Sequence, residues 1–292
     1  MDIPIFIVDA FTNQAFKGNP AAVCLLPHEL QDDMYQKIAA EMNLSETAFI
    51  WRLRSSNDFS SGAHFGLRWF SPKNEIPLCG HATIASAAVL FYHKKNINPS
   101  VTFETLSGEL YVRMHGDTIV MDFPLNKPTP QVGKVSCDVA GSLQITVGDL
   151  PIEDVQYCGV VKKLMVCLSD CCDRTALTSL QPDPEALLRT ESSGKIKSIV
   201  VTMKGDPSSE PTYDFLSRNF APWHGIPEDP VTGSAHTVLA SYWSEKLGKK
   251  KMLAYQCSSR GGELDLTLRD DGRVDIAGRA ITVLKGMLTV PV

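Results

Sequence analysis

The sequence lacks any apolar run approaching the roughly 18 to 20 residues of a membrane-spanning helix, and its N-terminus, MDIPIFIVDAF, has no basic start ahead of an apolar stretch, so neither a span nor a secretory leader is expected. The cytosol is the expected location. Basic excess is missing too: the net charge is -5, and the densest cationic run is Lys249, Lys250 and Lys251, which excludes an electrostatic footprint for nucleic acid. The eight cysteines (Cys24, Cys79, Cys137, Cys158, Cys167, Cys171, Cys172 and Cys257) form no CxxC pair, and buried free thiols are expected rather than disulfides. No GxxxxGK[ST] loop occurs and no GxGxxG follows a strand, so phosphate loops and dinucleotide cofactors have no support. What remains is an ordinary globular composition, 43% hydrophobic and 21% charged over 292 residues, long enough for two compact units.

Residues 3–11 and 21–26 read as strands. In 32–44 the spacing of Met34, Ile38 and Met42 predicts an amphipathic helix with acidic residues at its start, and 45–50 returns to strand. Glu46 therefore stands where helix gives way to strand, between two hydroxyl residues and ahead of an apolar stretch. Pro124, Pro128 and Pro130 within 121–133 suggest an extended connector between two halves. Beyond it VKKLMVCLS and KSIVVTMK read as strands, DPEALLR as a short helix capped by Asp183 with Pro184 at its first position, and GDPSSEPTY as a loop. Strands with few, separated helices indicate α+β.

The chain repeats itself. RWFSPKNEIPLCGHATIASAA matches RNFAPWHGIPEDPVTGSAHTVLAS: Arg68, Phe70, Pro72, Ile76 and Pro77 correspond to Arg218, Phe220, Pro222, Ile226 and Pro227 at an offset of 150. Three residues are then inserted, after which Gly80, Ala82 and Ala87 match Gly233, Ala235 and Ala240 at an offset of 153. SGELYVRM at 107–114 matches GGELDLTL at 261–268. Each copy reads as strand, Pro-bearing loop, a helix opening at Gly80-His81-Ala82 or Gly233-Ser234-Ala235, then strands. A glycine-led helix start lets a ligand approach the backbone, and its N–H groups and dipole favour an anion. A carboxylated substrate would suit such a pair.

Several residues in these segments carry competing readings. Cys79 at a helix start could be a nucleophile, but its repeat partner is Thr232, so a symmetric two-thiol racemisation fails and a packed structural cysteine is expected. A metal at Cys79 and His81 lacks a paired Cys or His spacing to complete it, and no metal is expected. His81 is either a capping or core-edge imidazole or a group that donates to substrate and relays a proton. Ser234, its partner, is either an N-cap or part of the site; Asp229, in the insertion, is either a turn-forming Asp-Pro or part of the site. Glu46 is the preferred general acid/base, on the argument that apolar neighbours raise a carboxyl pKa, against a capping or surface glutamate.

VDAFT, FKGNPAAVC, NLSETAF around Glu46, PLCGHAT, EDPVTGSA and SRGGEL occur here in one order, and the chain resembles the PhzF family of phenazine biosynthesis-like proteins, related in fold to diaminopimelate epimerase, over nearly its whole length. The resemblance implies two pseudo-symmetric halves, each a β-barrel-like sheet around a central helix: 1–127 with the last strand at about 284–292, and 134–283. It implies a site in the cleft between them, commonly a homodimer, and a cofactor-independent isomerisation of a small carboxylated molecule. Glu46 would move the proton, assisted by His81, Asp229 and Ser234, with Gly80, Ala82, Gly233 and Ala235 binding substrate. The sequence is most similar to the animal branch, for which phenazine chemistry is not expected. That branch also implies an alternative, a protein-binding or regulatory role on an inherited enzyme fold, with a WD-repeat partner.

Overall fold

In the computed structural model, residues 1–54, 58–131 and 137–290 are described. The chain divides into two compact units, Met1–Asp122 with Asp275–Val292, and Phe123–Val274. The expected boundary at 134 and the final two positions of 284–292 lie outside the described residues, and the return to the first unit begins at Asp275, ahead of 284. No helix among the described residues is long and apolar enough to cross a membrane.

The first unit carries β1 (Asp2–Ala10), β2 (Asn19–Leu26), α1 (Asp32–Met42), β3 (Glu46–Arg52), β4 (His64–Phe70), β5 (Glu75–Ile76), α2 (Gly80–Ala88), β6 (Ser100–Thr105), β7 (Gly108–His115) and β8 (Thr118–Pro124). The second carries β9 (Thr129–Pro130), α3 (Cys137–Val147), β10 (Ile152–Cys158), β11 (Lys163–Leu168), α4 (Arg174–Thr178), α5 (Pro184–Thr190), β12 (Ser198–Lys204), β13 (Phe215–Ala221), β14 (Ile226–Asp229), α6 (Gly233–Leu247), β15 (Lys251–Gln256) and β16 (Gly262–Leu268). β17 (Arg273–Gly278) follows, and β18 (Ala280–Thr289) runs antiparallel to β1.

Pairing follows one scheme twice. β2 is parallel to β3, β3 antiparallel to β4, β4 antiparallel to β5 and parallel to β6, and β6 antiparallel to β7. In the second unit β11, β12, β13, β14, β15 and β16 repeat these relations in the same order. The sequence repeat is thus a repeat of topology, and one ion pair marks it. Arg68 grips Glu75 through Nε and Nη2 at 2.6 and 2.7 Å, and Arg218 grips Glu228 in the same way at 2.7 and 2.8 Å.

Each unit folds round a buried helix. Every residue of α2 from His81 to Ala88 is buried, and the alanines and serine among them let β1, β2, β3 and β18 approach closely. α6 is buried from Ala235 to Trp243 and packs on β15 and β16. In the first core Tyr35 of α1 stacks on Phe70 at 5.3 Å and meets Phe49 edge-on at 4.8 Å, contacts each adding about 1 kcal/mol beyond area burial. Ile38 is buried, and Met34 and Met42 pack at the core's margin, as the spacing predicts. In the second, Trp243 stacks on Phe215 at 5.6 Å and donates from Nε1 to Thr202 Oγ1 at 2.9 Å. Asp183 caps α5 by accepting from Glu185 N and Ala186 N, with Pro184 in the first turn as expected. α3 was not expected: CDVAGSLQITV has β-branched residues and a glycine of low helix propensity. The expected connector is only partly irregular, since β8 runs to Pro124 and β9 occupies Thr129–Pro130, while 132–136 lie outside the described residues.

Candidate functional site

In the first unit the site is assembled by the parallel pairing of β2 with β3 and by the start of α2. Gly18 turns the chain into β2 with φ +65°, where a Cβ would stand 2.1 Å from the Ala10 carbonyl oxygen, so glycine is required. The next residue, Asn19, is fully buried and places its Nδ2 3.1 Å from His81 Nδ1. Glu46, first residue of β3, brings Oε2 to 3.1 Å from His81 Nε2, and Ser45 Oγ stands 3.5 Å from the same nitrogen. The Asn19 amide and the Cys79 thiol thus meet one ring nitrogen of His81, and the Glu46 carboxylate and Ser45 hydroxyl meet the other.

Cys79 precedes α2 in extended conformation and its side chain makes no capping hydrogen bond. The first backbone bond back to it is Thr83 N to Cys79 O, at 3.2 Å. Gly80, His81 and Ala82 thus present first-turn N–H groups that have no intrahelical acceptor, at the positive end of the helix.

Burial opposes charge on His81, while Cys79 and Glu46 favour it, and the net shift is upward from 6.5. Burial pushes the Cys79 thiol up. A thiol protonated near neutral pH contributes little charge, which leaves the Glu46 carboxylate as the neighbour that favours the charged ring. A raised imidazole pKa contributes stability that is fully present below the unfolded value and is lost as pH rises through the folded one. Glu46→Gln is therefore expected to lower the His81 midpoint in a ring-proton NMR titration; an unmoved midpoint would show that the carboxylate does not govern it.

Two expectations change here. Glu46 is side-chain buried to 15% exposure, but it meets an imidazole rather than a purely apolar wall. And Glu46, Cys79 and His81 bring oxygen, sulfur and nitrogen donors within 4.8 Å of one another, a set whose chemistry suits a soft divalent cation. The third donor comes from β3, which Cys and His spacing could not reveal. The raised thiol pKa opposes both metal ligation and nucleophilic attack, each of which needs the thiolate.

In the second unit the start of α6 is held by a compact network. Thr232, extended and without a side-chain cap, precedes Gly233. Its Oγ1 donates to Asp229 Oδ2 at 2.6 Å and accepts from Asn219 Nδ2 at 3.0 Å. Gln256 clamps both ends of the turn, accepting from Thr232 N at 2.9 Å and donating to the Asp229 carbonyl at 2.6 Å. Asp229 is thus engaged through its carboxylate as well as ending β14. Ser234 lies one residue inside α6, so it is not the N-cap; with Gly233 and Ala235 it supplies the first-turn N–H groups. His236 is buried, donates from Nδ1 to the Thr232 carbonyl at 2.8 Å, and is held neutral by burial, its pKa lowered to about 4.

The expected residues therefore gather as two sets, Glu46, Gly80, His81 and Ala82 in the first unit, and Asp229, Gly233, Ser234 and Ala235 in the second. Sequence reasoning missed Asn19, Asn219, Gln256 and His236. Asn19 lies within the motif stretch FKGNPAAVC and Gln256 three residues ahead of SRGGEL, but nothing in the sequence shows what they touch.

The chain belongs to a known family. The chain matches the phenazine biosynthesis-like protein family, PhzC-PhzF, over residues 8–286. It is 56% identical over 290 residues to a bovine phenazine biosynthesis-like domain-containing protein, covering 99% of this chain and 100% of the relative. It is 43% identical over 290 residues to a protein of Halalkalibacterium halodurans named as an uncharacterized isomerase, covering 99% of each. The crystal structure of a phenazine biosynthesis protein of the PhzF family from Enterococcus faecalis matches with a TM-score of 0.85 and 36% identity, covering 99% of this chain and 100% of that one. The protein belongs to the PhzF family. Its α+β fold is the isomerase-type, diaminopimelate epimerase-like fold.

Proposed function

We propose that the protein is a cofactor-independent isomerase that moves a proton on a small carboxylated substrate, with Glu46 as general acid/base. The observation that carries this reading is the 3.1 Å contact between Glu46 and His81 beside the uncapped start of α2. A carboxylate held by a neighbour that can take or give a proton is equipped to act in both directions. In the forward step the Glu46 carboxylate takes a proton from a carbon next to an unsaturated or carboxyl-bearing carbon. The resulting neutral carboxyl returns it elsewhere on the same molecule, so no electrons are gained or lost overall. The first-turn N–H groups of Gly80, His81 and Ala82 suit the substrate carboxylate or the negative charge that develops. Asp229 and Ser234 serve the same reaction in this reading, an assignment that rests on the family resemblance.

The name of the Halalkalibacterium relative supports the reaction class without identifying a substrate. The test is incorporation of solvent deuterium into a panel of carboxylic acids from cell extract, with the parent protein and Glu46→Gln. Label entering a compound with the parent and not with the variant is expected. Absence of label in every compound, with partner capture unimpaired in Glu46→Gln, would instead favour a protein-binding role on the inherited fold.

A further inference from the structure

The residue just ahead of each glycine-led helix is Cys79 in one unit and Thr232 in the other, the partners that the repeat aligns. Both are extended, and neither side chain caps its helix. For a threonine this is unusual, because a hydroxyl in that place ordinarily accepts from the first free N–H groups. Each instead turns to a titratable side chain of its own unit. Cys79 Sγ lies 3.4 Å from His81 Nδ1, and Thr232 Oγ1 lies 2.6 Å from Asp229 Oδ2.

The neighbours of Thr232 decide where its one hydroxyl proton goes. Gln256, buried at the end of β15, is anchored by main-chain groups: its oxygen accepts from Thr232 N and its Nε2 donates to the Asp229 carbonyl. Nε2 is therefore the atom that stands 3.3 Å from Thr232 Oγ1, and an amide nitrogen can only donate. An ionised carboxylate can only accept, so the hydroxyl proton points to Asp229, at a length typical of a charge-assisted bond. With that proton given, the hydroxyl oxygen accepts again, from Nδ2 of Asn219 at 3.0 Å. Asn219 is buried on β13, where the register places it opposite Asp229. Two buried amides thus fill the acceptor side of the hydroxyl and leave it a single direction in which to donate.

We propose that Thr232 is a positioning residue of the second unit, whose hydroxyl, aimed by Asn219 and Gln256, fixes the Asp229 carboxylate for proton transfer. It acts through Asp229 and not on substrate. A carboxylate free to rotate divides its time among orientations, whereas one held by a short, directed bond presents the same face at every turnover. The functional part of the inference rests on the isomerase reading above, in which Asp229 serves the reaction; the placement of the hydroxyl proton does not.

The experiment compares Thr232→Val, which keeps the branched shape without the hydroxyl, with Thr232→Ser, which keeps the hydroxyl. In protein carrying 13Cγ-labelled aspartate, the Asp229 carboxyl resonance is assigned by its loss in Asp229→Asn. Thr232→Val is expected to shift it and Thr232→Ser to leave it close to the parent position. On any compound that takes up solvent deuterium, Thr232→Val should lower kcat by about tenfold or more with KM changed less than about threefold, and Thr232→Ser should stay within about threefold of the parent. Asn219→Asp preserves shape but offers the hydroxyl a rival acceptor; it should shift the resonance and slow incorporation as Thr232→Val does, and it carries the comparison if the valine variant does not fold. An Asp229 resonance unmoved in both Thr232→Val and Asn219→Asp overturns the proposal. So does incorporation that is unchanged in Thr232→Val, or equally slow in Thr232→Ser. If no compound takes up label, the isomerase reading fails, while the carboxyl resonance still decides whether Thr232 holds Asp229.

Discussion

Glu46→Gln is expected to slow solvent deuterium incorporation by about 10²- to 10⁴-fold, the usual contribution of a positioned general acid/base. Gln preserves the shape and a hydrogen-bonding partner for His81 Nε2, so the loss reports proton transfer rather than collapse of the β3 start. Cys79→Ser is the informative control. The Cys79 thiol is 3.4 Å from His81 Nδ1 and pushed up by burial, so it is poorly suited to act as a thiolate nucleophile. Its replacement should change the rate less than tenfold, about 1.4 kcal/mol at most on the barrier. A reversed order, with Cys79→Ser the more damaging, would shift the chemistry to sulfur.

The second large effect concerns stability. Arg218→Met should destabilise the second unit by on the order of 3–5 kcal/mol, because it leaves a carboxylate without its partner in a nearly closed environment. Arg218 is 8% exposed; besides gripping Glu228 it donates from Nη1 to the carbonyls of Leu177, Thr178 and Leu180 at 3.2, 3.1 and 2.6 Å. These bonds tie the end of α4 to β13. Arg68, its counterpart, has 17% side-chain exposure and spends its Nη1 on Asp32, which is 80% exposed, so Arg68→Met should cost less, about 2 kcal/mol. Because the chain has two units, a single unfolding midpoint is a poor measure. Hydrogen exchange resolved to β12 and β13 is the appropriate one, and equal protection in Arg218→Met and parent would refute the ordering. The double substitution Arg218→Met with Glu228→Leu should recover part of the loss, since it removes the stranded charge.

Much of this arrangement is legible in the sequence for reasons that particular residues make plain. The pairing of Arg68 with Arg218 in self-comparison announces a doubled topology, because a bidentate grip on Glu75 or Glu228 has strict geometric needs. Glu46 stands out because a charge at a helix-to-strand junction ahead of an apolar run is unusual. Spacing along one chain cannot, however, show what parallel pairing places opposite. Asn19 reaches His81 across 62 positions, and Lys163 reaches Ser198 across 35. Each looks like an ordinary strand residue until the register of β2 on β3, or β11 on β12, is known. α3 escapes for a different reason: its valines, isoleucine and glycine give little local signal, and packing against α5 decides its conformation.

The way β18 is used has a bearing on how the protein is made. β1 needs β18 as its antiparallel neighbour, whereas Phe123–Val274 contains its own strands in one continuous stretch. During synthesis the later-translated unit can close first, while the earlier one, with β1 already able to pair with β2, waits with the other edge of β1 uncovered until residues 280–289 leave the ribosome. That interval exposes an apolar strand edge, so chaperone dependence should track the delay before residues 280–289 emerge.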